Sequence, residues 1–304
     1  MELRFKLNHY YQGQNSPFLH AADAGYFNDF GITCTFIEGF SSSQVTRALV
    51  SGEAEIGFGD VSSVFERALR AGETEISCLV PIYEHTPCCL GYRSEGRKLT
   101  LAEVETGTLC GPNGDTSARL LPLLLKRNGY APDRYTYIGV QPEERDRMVA
   151  AHSVTAATCF DATLKFAMQM RGHDASDLDF LYFADHGLDI YSGAFVALNS
   201  VLDQEPGLAG TLQEIVRRAW HDCLTDPGLG VDAVIRRSPD MDPAIVRAQL
   251  TWIMERQVFP AGPRPMTFDL AGAKMVDTLE CATYTVGDEA RRSPEGLPAA
   301  ICLN

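Results

Sequence analysis

Residues 39–43 read Gly-Phe-Ser-Ser-Ser and stand where the apolar stretch "ITCTFIEG" gives way to the helix-like "SSSQVTRALVSGE". Hydroxyls and N–H groups gathered at a helix N-terminus bind an anion or another hydrogen-bond acceptor. Capping needs only one serine, so Ser41, Ser42 and Ser43 read either as a cap with hydroxyls to spare or as ligand contacts beside Phe40. "GPNGDTSARLL" poses the same choice. Asp115 or Thr116 is placed to cap its helix, which leaves Asn113 and Ser117 as the better contact candidates. Carboxylates recur at strand ends. Asp60 closes "AEIGFGD", Asp161 follows Phe160 at the end of "VTAATCF", and Asp185 lies with Tyr191 on the way back from the middle of the chain. Each acid either caps the next helix or accepts a hydrogen bond from a ligand. Tyr10 and Tyr11 close the first strand, where alternation turns one toward a ligand and the other into packing. No arginine is evident beside these carboxylates. The set therefore suits a flat ring bearing N–H donors, such as an aminopyrimidine, better than a sulfonate.

The elements that must position these residues alternate in type. "LRFKLNHYY" reads as a strand, "FLHAADAGYF" as a helix, "ITCTFIEG" as a strand, and "SSSQVTRALVSGE" as a helix. "AEIGFGD", "VSSVFERALRAGE" and "ISCLVPIYE" continue the series. A second run of the same kind begins after "CCLGYRSEGRKLT" and ends with "LDFLYFADHG"; "SGAFVALNS" then returns as a strand before several helices. Strands alternating with helices predict parallel sheets with ligands at the carboxyl ends of the strands. The chain enters the middle run near residue 90 and leaves it near residue 193. This predicts an α/β fold with lobe 1 formed by 1–90 plus 194–304, lobe 2 by 91–193, and a ligand cleft between lobes joined by two crossings.

The 304 residues carry a formal charge of -14, which argues against a nucleic-acid partner. No apolar run has the length of a membrane span, and "MELRFKLNHYY" lacks the features of a signal peptide. Nine cysteines form no CxxC, and Cys34, Cys78, Cys110 and Cys159 fall in strand-like runs, as buried thiols do. Adjacent Cys88 and Cys89 point apart in a strand, which disfavours a redox pair. No HExxH, nucleophile elbow, P-loop or dinucleotide fingerprint is present, so neither a catalytic group nor a cofactor or metal is expected.

"SPFLHAADAGYFNDFGITCTFIEGFSSSQVTRALVSGEAEIGFGD", with "GPNGDTSARLLP" and "FADHGLDIYSGAFVA", resembles the solute-binding proteins of ABC importers in the nitrate, sulfonate and taurine group, which share the NMT1/THI5-like domain. The resemblance implies a type II periplasmic-binding-protein fold, a small-molecule ligand, an ABC permease as partner and a monomer. It also implies a periplasmic location with a leader ahead of residue 1; a cytoplasmic ligand sensor is the alternative. Ser153 and Thr155 stand where the family commonly has a Gly and an acidic residue, and the tail after residue 255 matches no family pattern. The fungal pyrimidine synthase of this fold is linked to pyridoxal phosphate, iron, an active-site Lys and His, and a dense cysteine cluster. This chain offers His20 without a nearby Lys, and Cys159 alone.

Overall fold

Strand β1 (Glu2–Lys6) buries Leu3 and Phe5 and exposes Glu2 and Arg4, the period of two that a strand's alternating side chains impose. A computed structural model describes residues 1–39 and 41–304. After β1 come α1 (Ser16–Asp23), β2 (Thr33–Ile37), α2 (Ser42–Val50), β3 (Ile56–Asp60), α3 (Val61–Ala71) and β4 (Ile76–Pro81). The chain then builds β5 (Cys88–Arg93), α4 (Leu101–Thr106), β6 (Thr108–Gly111), α5 (Thr116–Arg127), β7 (Thr136–Gly139), α6 (Pro142–Ala150), β8 (Ala156–Phe160), α7 (Asp161–Met170) and β9 (Leu178–Tyr182). It returns through β10 (Gly193–Leu198) into α8 (Asn199–Leu202), α9 (Leu208–Thr225), α10 (Pro227–Arg237), α11 (Pro243–Ile253), α12 (Ala273–Val286) and α13 (Leu297–Ile301).

These elements form two units: Met1–His85 with Tyr191–Asn304, and Thr86–Ile190. The sequence placed the passages near residues 90 and 193. The units part a few residues earlier in each case, because β5 and β10 belong entirely to the sheets they enter.

Unit 1 holds a sheet in the order β2-β1-β3-β10-β4, with β10 antiparallel to both neighbours and the pairs of β1 parallel. Phe5, Phe58 and Phe195, one from each central strand, gather around Phe18 of α1, with Phe5 and Phe58 at 5.0 and 5.1 Å between ring centres. Trp220 of α9 meets Phe18 edge-on at 5.7 Å. The opposite face packs against α2 and α3, and Gly57 allows that approach: a Cβ there would lie 2.6 Å from Val45 Cγ1. At the outer edge of β4, the Leu303 N–H donates to the Cys78 carbonyl, covering part of an otherwise open edge.

Unit 2 repeats the topology in the order β7-β6-β8-β5-β9, with β5 antiparallel to β8 and β9 and β6 parallel to β7 and β8. Its core gathers Cys89, Cys110, Ala157, Cys159, Leu164 and Met168. The nine cysteines are free thiols, all buried except the half-buried Cys34. Cys89 lies opposite Cys159 in the sheet, with sulfurs 3.6 Å apart.

One boundary differs in a way that matters for function. The sequence carried the first strand through Tyr11, whereas β1 ends at Lys6. The Leu7 N–H makes one more bond to the Ile37 carbonyl, where β2 stops, and beyond it the Gly39 N–H makes a long bond of 3.4 Å to the His9 carbonyl without extending the strands. Tyr10 and Tyr11 therefore sit in a loop.

Candidate functional site

In unit 1, the loop from β1 to α1 is built from buried amides. Asn8, His9, Gln12, Gln14 and Asn15 are all buried, which few polar loops permit. Backbone donors fix how the amides point. The Gly13 N–H donates to Gln249 Oε1 at 2.7 Å, so Gln249 turns its Nε2 toward Gln12 Oε1 at 3.2 Å. Gln14 Nε2 donates to Asn8 Oδ1, and Asn15 Nδ2 donates to the carbonyls of His9 and Tyr10. This leaves Gln12 Nε2 and Asn15 Oδ1 buried and without a partner among the described residues. The sequence reading missed these residues, taking "NHYYQGQNS" as the end of a strand and a plain loop. Its density of amides was the available signal.

Tyr11 is half-buried, and its N–H donates to Glu38 Oε1 at 2.8 Å. Burial raises its hydroxyl pKa, and the Glu38 charge adds to the rise against the opposing charge of Arg237. Phe40 lies outside the described residues, and of Ser42 only the backbone is described, as the first residue of α2. Ser41 is the N-cap of α2 in position and in extended backbone, yet its side chain accepts no bond from the helix's N–H groups. Its oxygen instead lies 3.1 Å from Ser43 Oγ. Two half-buried hydroxyls thus sit at a helix start that no described side chain caps.

Asp60 is a cap. Fully buried, it accepts on Oδ1 both from the Ser63 N–H at 3.2 Å and from the Ser62 hydroxyl at 2.5 Å, within its own turn. Tyr191 is held by unit 1's own packing. Its N–H donates to Thr278 Oγ1, its hydroxyl accepts from the Asp269 N–H, and its ring meets Phe268 edge-on at 5.1 Å. His20 points to α9, with Nε2 3.3 Å from Asp222 Oδ2, where the Tyr26 hydroxyl also donates at 2.5 Å.

In unit 2, Asp115 caps α5 by accepting from the Ser117 N–H. Thr116 is buried beside it and accepts from Arg119 at 3.4 Å. Asn113 is exposed and lies over Gly139, where a Cβ would fall 2.2 Å from its Oδ1. The loop that carries Asn113 is further held by Tyr137, whose hydroxyl donates to the Pro112 carbonyl and stands 2.9 Å from Thr158 Oγ1. Ser117 is fully buried and donates its hydroxyl to the Cys159 carbonyl at 2.8 Å. Phe160, half-buried, is the N-cap of α7 and supplies no cap bond. Asp161 takes the next position, fully buried, where a carboxylate suits the positive end of the helix. Its Oδ2 accepts from the Tyr182 hydroxyl at 2.9 Å. Asp185 is exposed on the short 3-10 turn Ala184–His186, within unit 2 and ahead of the return passage.

Unit 2 also holds a buried arginine that the sequence did not single out. Arg145 lies in the first turn of α6, close after β7, and is buried. Its guanidinium donates to Asp146 Oδ1 at 2.8 and 2.9 Å, and Arg171 reaches the other oxygen of Asp146. Burial works to lower the Arg145 pKa, but the neighbouring carboxylates of Asp146 and Asp115 and the Cys159 thiol outweigh it, so the net shift is upward. The charge is retained.

Among the described residues no three of His, Cys, Asp and Glu gather as a metal would require, and no helix is long and apolar enough to cross a membrane. The sequence profile described as NMT1/THI5 like matches residues 12–228. The chain belongs to this family. No curated protein sequence matches it. Among solved structures, it is similar to the alkanesulfonate-binding protein of Xanthomonas axonopodis bound to MOPS, at 17% identity and a TM-score of 0.62 over 82% of this chain and 83% of that one. The aliphatic sulphonate-binding protein of Escherichia coli matches at 12% identity and a TM-score of 0.68, over 93% and 86%. A ligand-binding component of an ABC-type import system from Staphylococcus aureus matches at 11% and 0.69, over 96% and 94%. Such low identities establish the fold, which is that of the periplasmic binding proteins.

Proposed function

We propose that the protein is the solute-binding component of an ABC importer, working on the periplasmic side and capturing a small molecule without converting it. The observation that carries this reading is the repeated topology. Each unit is a five-stranded sheet entered by one antiparallel strand from the other, and in each the loops past the strands' carboxyl ends are rich in polar groups. The family match and the titles of the similar structures support it.

The ligand's head group is rich in hydrogen-bond acceptors, of sulfonate type. Asp60 and Asp161 accept hydrogen bonds from their own neighbours, so they have less to offer N–H donors than the sequence suggested. The α2 start, with Ser41 and Ser43, favours an acceptor. Calorimetric titration with ethanesulfonate, MOPS and an aminopyrimidine tests this choice. Binding of the sulfonates is expected; tight binding of the aminopyrimidine alone would overturn the head-group assignment and leave the solute-binding reading standing.

A further inference from the structure

The C-terminal segment lies beyond the family match, yet its contacts converge on the two places where the chain passes between units. Just past α11, Met254–Val258 widens into a π-helical turn. Its Gln257 carbonyl accepts from both the Glu84 N–H at 2.6 Å and the His85 N–H at 3.0 Å. Arg264 donates from Nη2 to the carbonyls of Pro81 and Ile82, at 3.2 and 2.9 Å, and its Nη1 lies 3.2 Å from Glu84 Oε2. Its Nε donates to the Val258 carbonyl, which ties the guanidinium back to the π-turn. Lys274 of α12 donates to the Glu84 carbonyl. The other passage is held from the same side: the Thr278 hydroxyl accepts from the Tyr191 N–H at 2.8 Å and donates to the Lys274 carbonyl at 2.6 Å. Fixed planar donors such as guanidinium hold several carbonyls at once with little loss of side-chain freedom.

We infer that the segment from Met254 to Thr278 is a clamp that fixes the unit 1 ends of both crossings, with Arg264 and Lys274 as its positioning residues. Bending of the chain at the crossings then begins after His85 and before Tyr191, and residues 81–85 behave as part of unit 1. Gln257 stands in the last turn of this helical run, where carbonyls have no partner within the helix and are open to outside donors. This inference goes beyond the ligand-binding reading and does not depend on it.

Hydrogen exchange followed by mass spectrometry, on the full chain without ligand, tests the clamp. Wild type is compared with Arg264→Met and Lys274→Met. The amides of Ile82–His85 are expected to exchange about tenfold faster in Arg264→Met and less so in Lys274→Met, with β1 and β3 keeping their wild-type protection. Two outcomes would overturn the clamp: unchanged exchange at Ile82–His85 in both variants, or equal acceleration through β1 and β3, which would mark general loosening of unit 1. Arg264→Lys keeps the charge near Glu84 without the planar fork and is expected to fall between wild type and Arg264→Met.

Discussion

The two units share a strand order and differ in how each strand hands over to its helix. Register makes the comparison direct: Asp60 at the end of β3 lies opposite Gly193 of the incoming strand, and Phe160 at the end of β8 lies opposite Cys88 of its incoming strand. At this equivalent corner unit 1 places a carboxylate that caps α3, while unit 2 places an aromatic ring and moves the acid one residue on, to Asp161. At the first strand the pattern reverses. Unit 2 turns tightly from β6 to α5 and caps with Asp115, whereas unit 1 runs through residues 7–15 and begins α1 at Ser16, with Asn15 in the N-cap position giving no side-chain cap bond. Apolar alternation and crossing order suffice to specify the sheet; the chemistry at the strand ends is free to vary over it.

Substitutions can break or sharpen this contrast, and the largest effect is expected in unit 2. Asp146→Ala leaves Arg145 buried without its carboxylate, and urea denaturation should show a loss of about 3–5 kcal/mol. A loss below about 1 kcal/mol would mean that Arg145 finds water or another acceptor. At the equivalent corners, Asp60→Ala should lower stability by about 1–2 kcal/mol through the lost cap and the lost bond from the Ser62 hydroxyl. Phe160→Ala should not act through capping at all, so its effect should follow the packing lost by a half-buried ring. If Asp60→Ala proves neutral, the capping contrast between the units falls.

Ser41→Ala separates cap from contact. Because Ser41 does not cap α2, the change should alter stability by no more than about 0.5 kcal/mol, yet weaken sulfonate binding severalfold. A clear loss of stability with unchanged binding would reverse that assignment. Asp161→Asn should leave sulfonate binding equal or slightly tighter, since a negative charge is removed, and should weaken an aminopyrimidine by about tenfold if one binds. The smallest effect concerns the thiols. Burial pushes Cys34 in unit 1 and Cys110 in unit 2 each up to about 12, so both stay protonated at pH 8. Neither should react with iodoacetamide in the native protein, and both should react once it is unfolded in urea. Rapid native labelling of either would show an opening that the burial does not predict.

The alternation of strands and helices was legible in the sequence, and so was the double passage, because period-two burial and helical caps are local properties. The candidate site was legible only in part. Asp60 and Asp161 were recognisable as strand-end acids, but their partners were not. Tyr182 reaches Asp161 from β9, two strands away from β8, and no spacing in the sequence announces that. The amides of residues 8–15 were visible as a cluster, but their arrangement was not, for a related reason: Gln249, far along the chain, bonds Gly13 and Gln12. The burial of Arg145, which is held by Asp146 and lies in the first turn of α6, was not legible either.

The central claim is capture without turnover, and native mass spectrometry tests it most directly. The protein is incubated with several equivalents of ethanesulfonate, and both the complex and the free ligand are weighed over time. One ligand bound per chain, with its mass unchanged and no product in solution, is the predicted result. Accumulation of a converted product beyond one equivalent would contradict the claim and turn attention to the enzymatic side of the family.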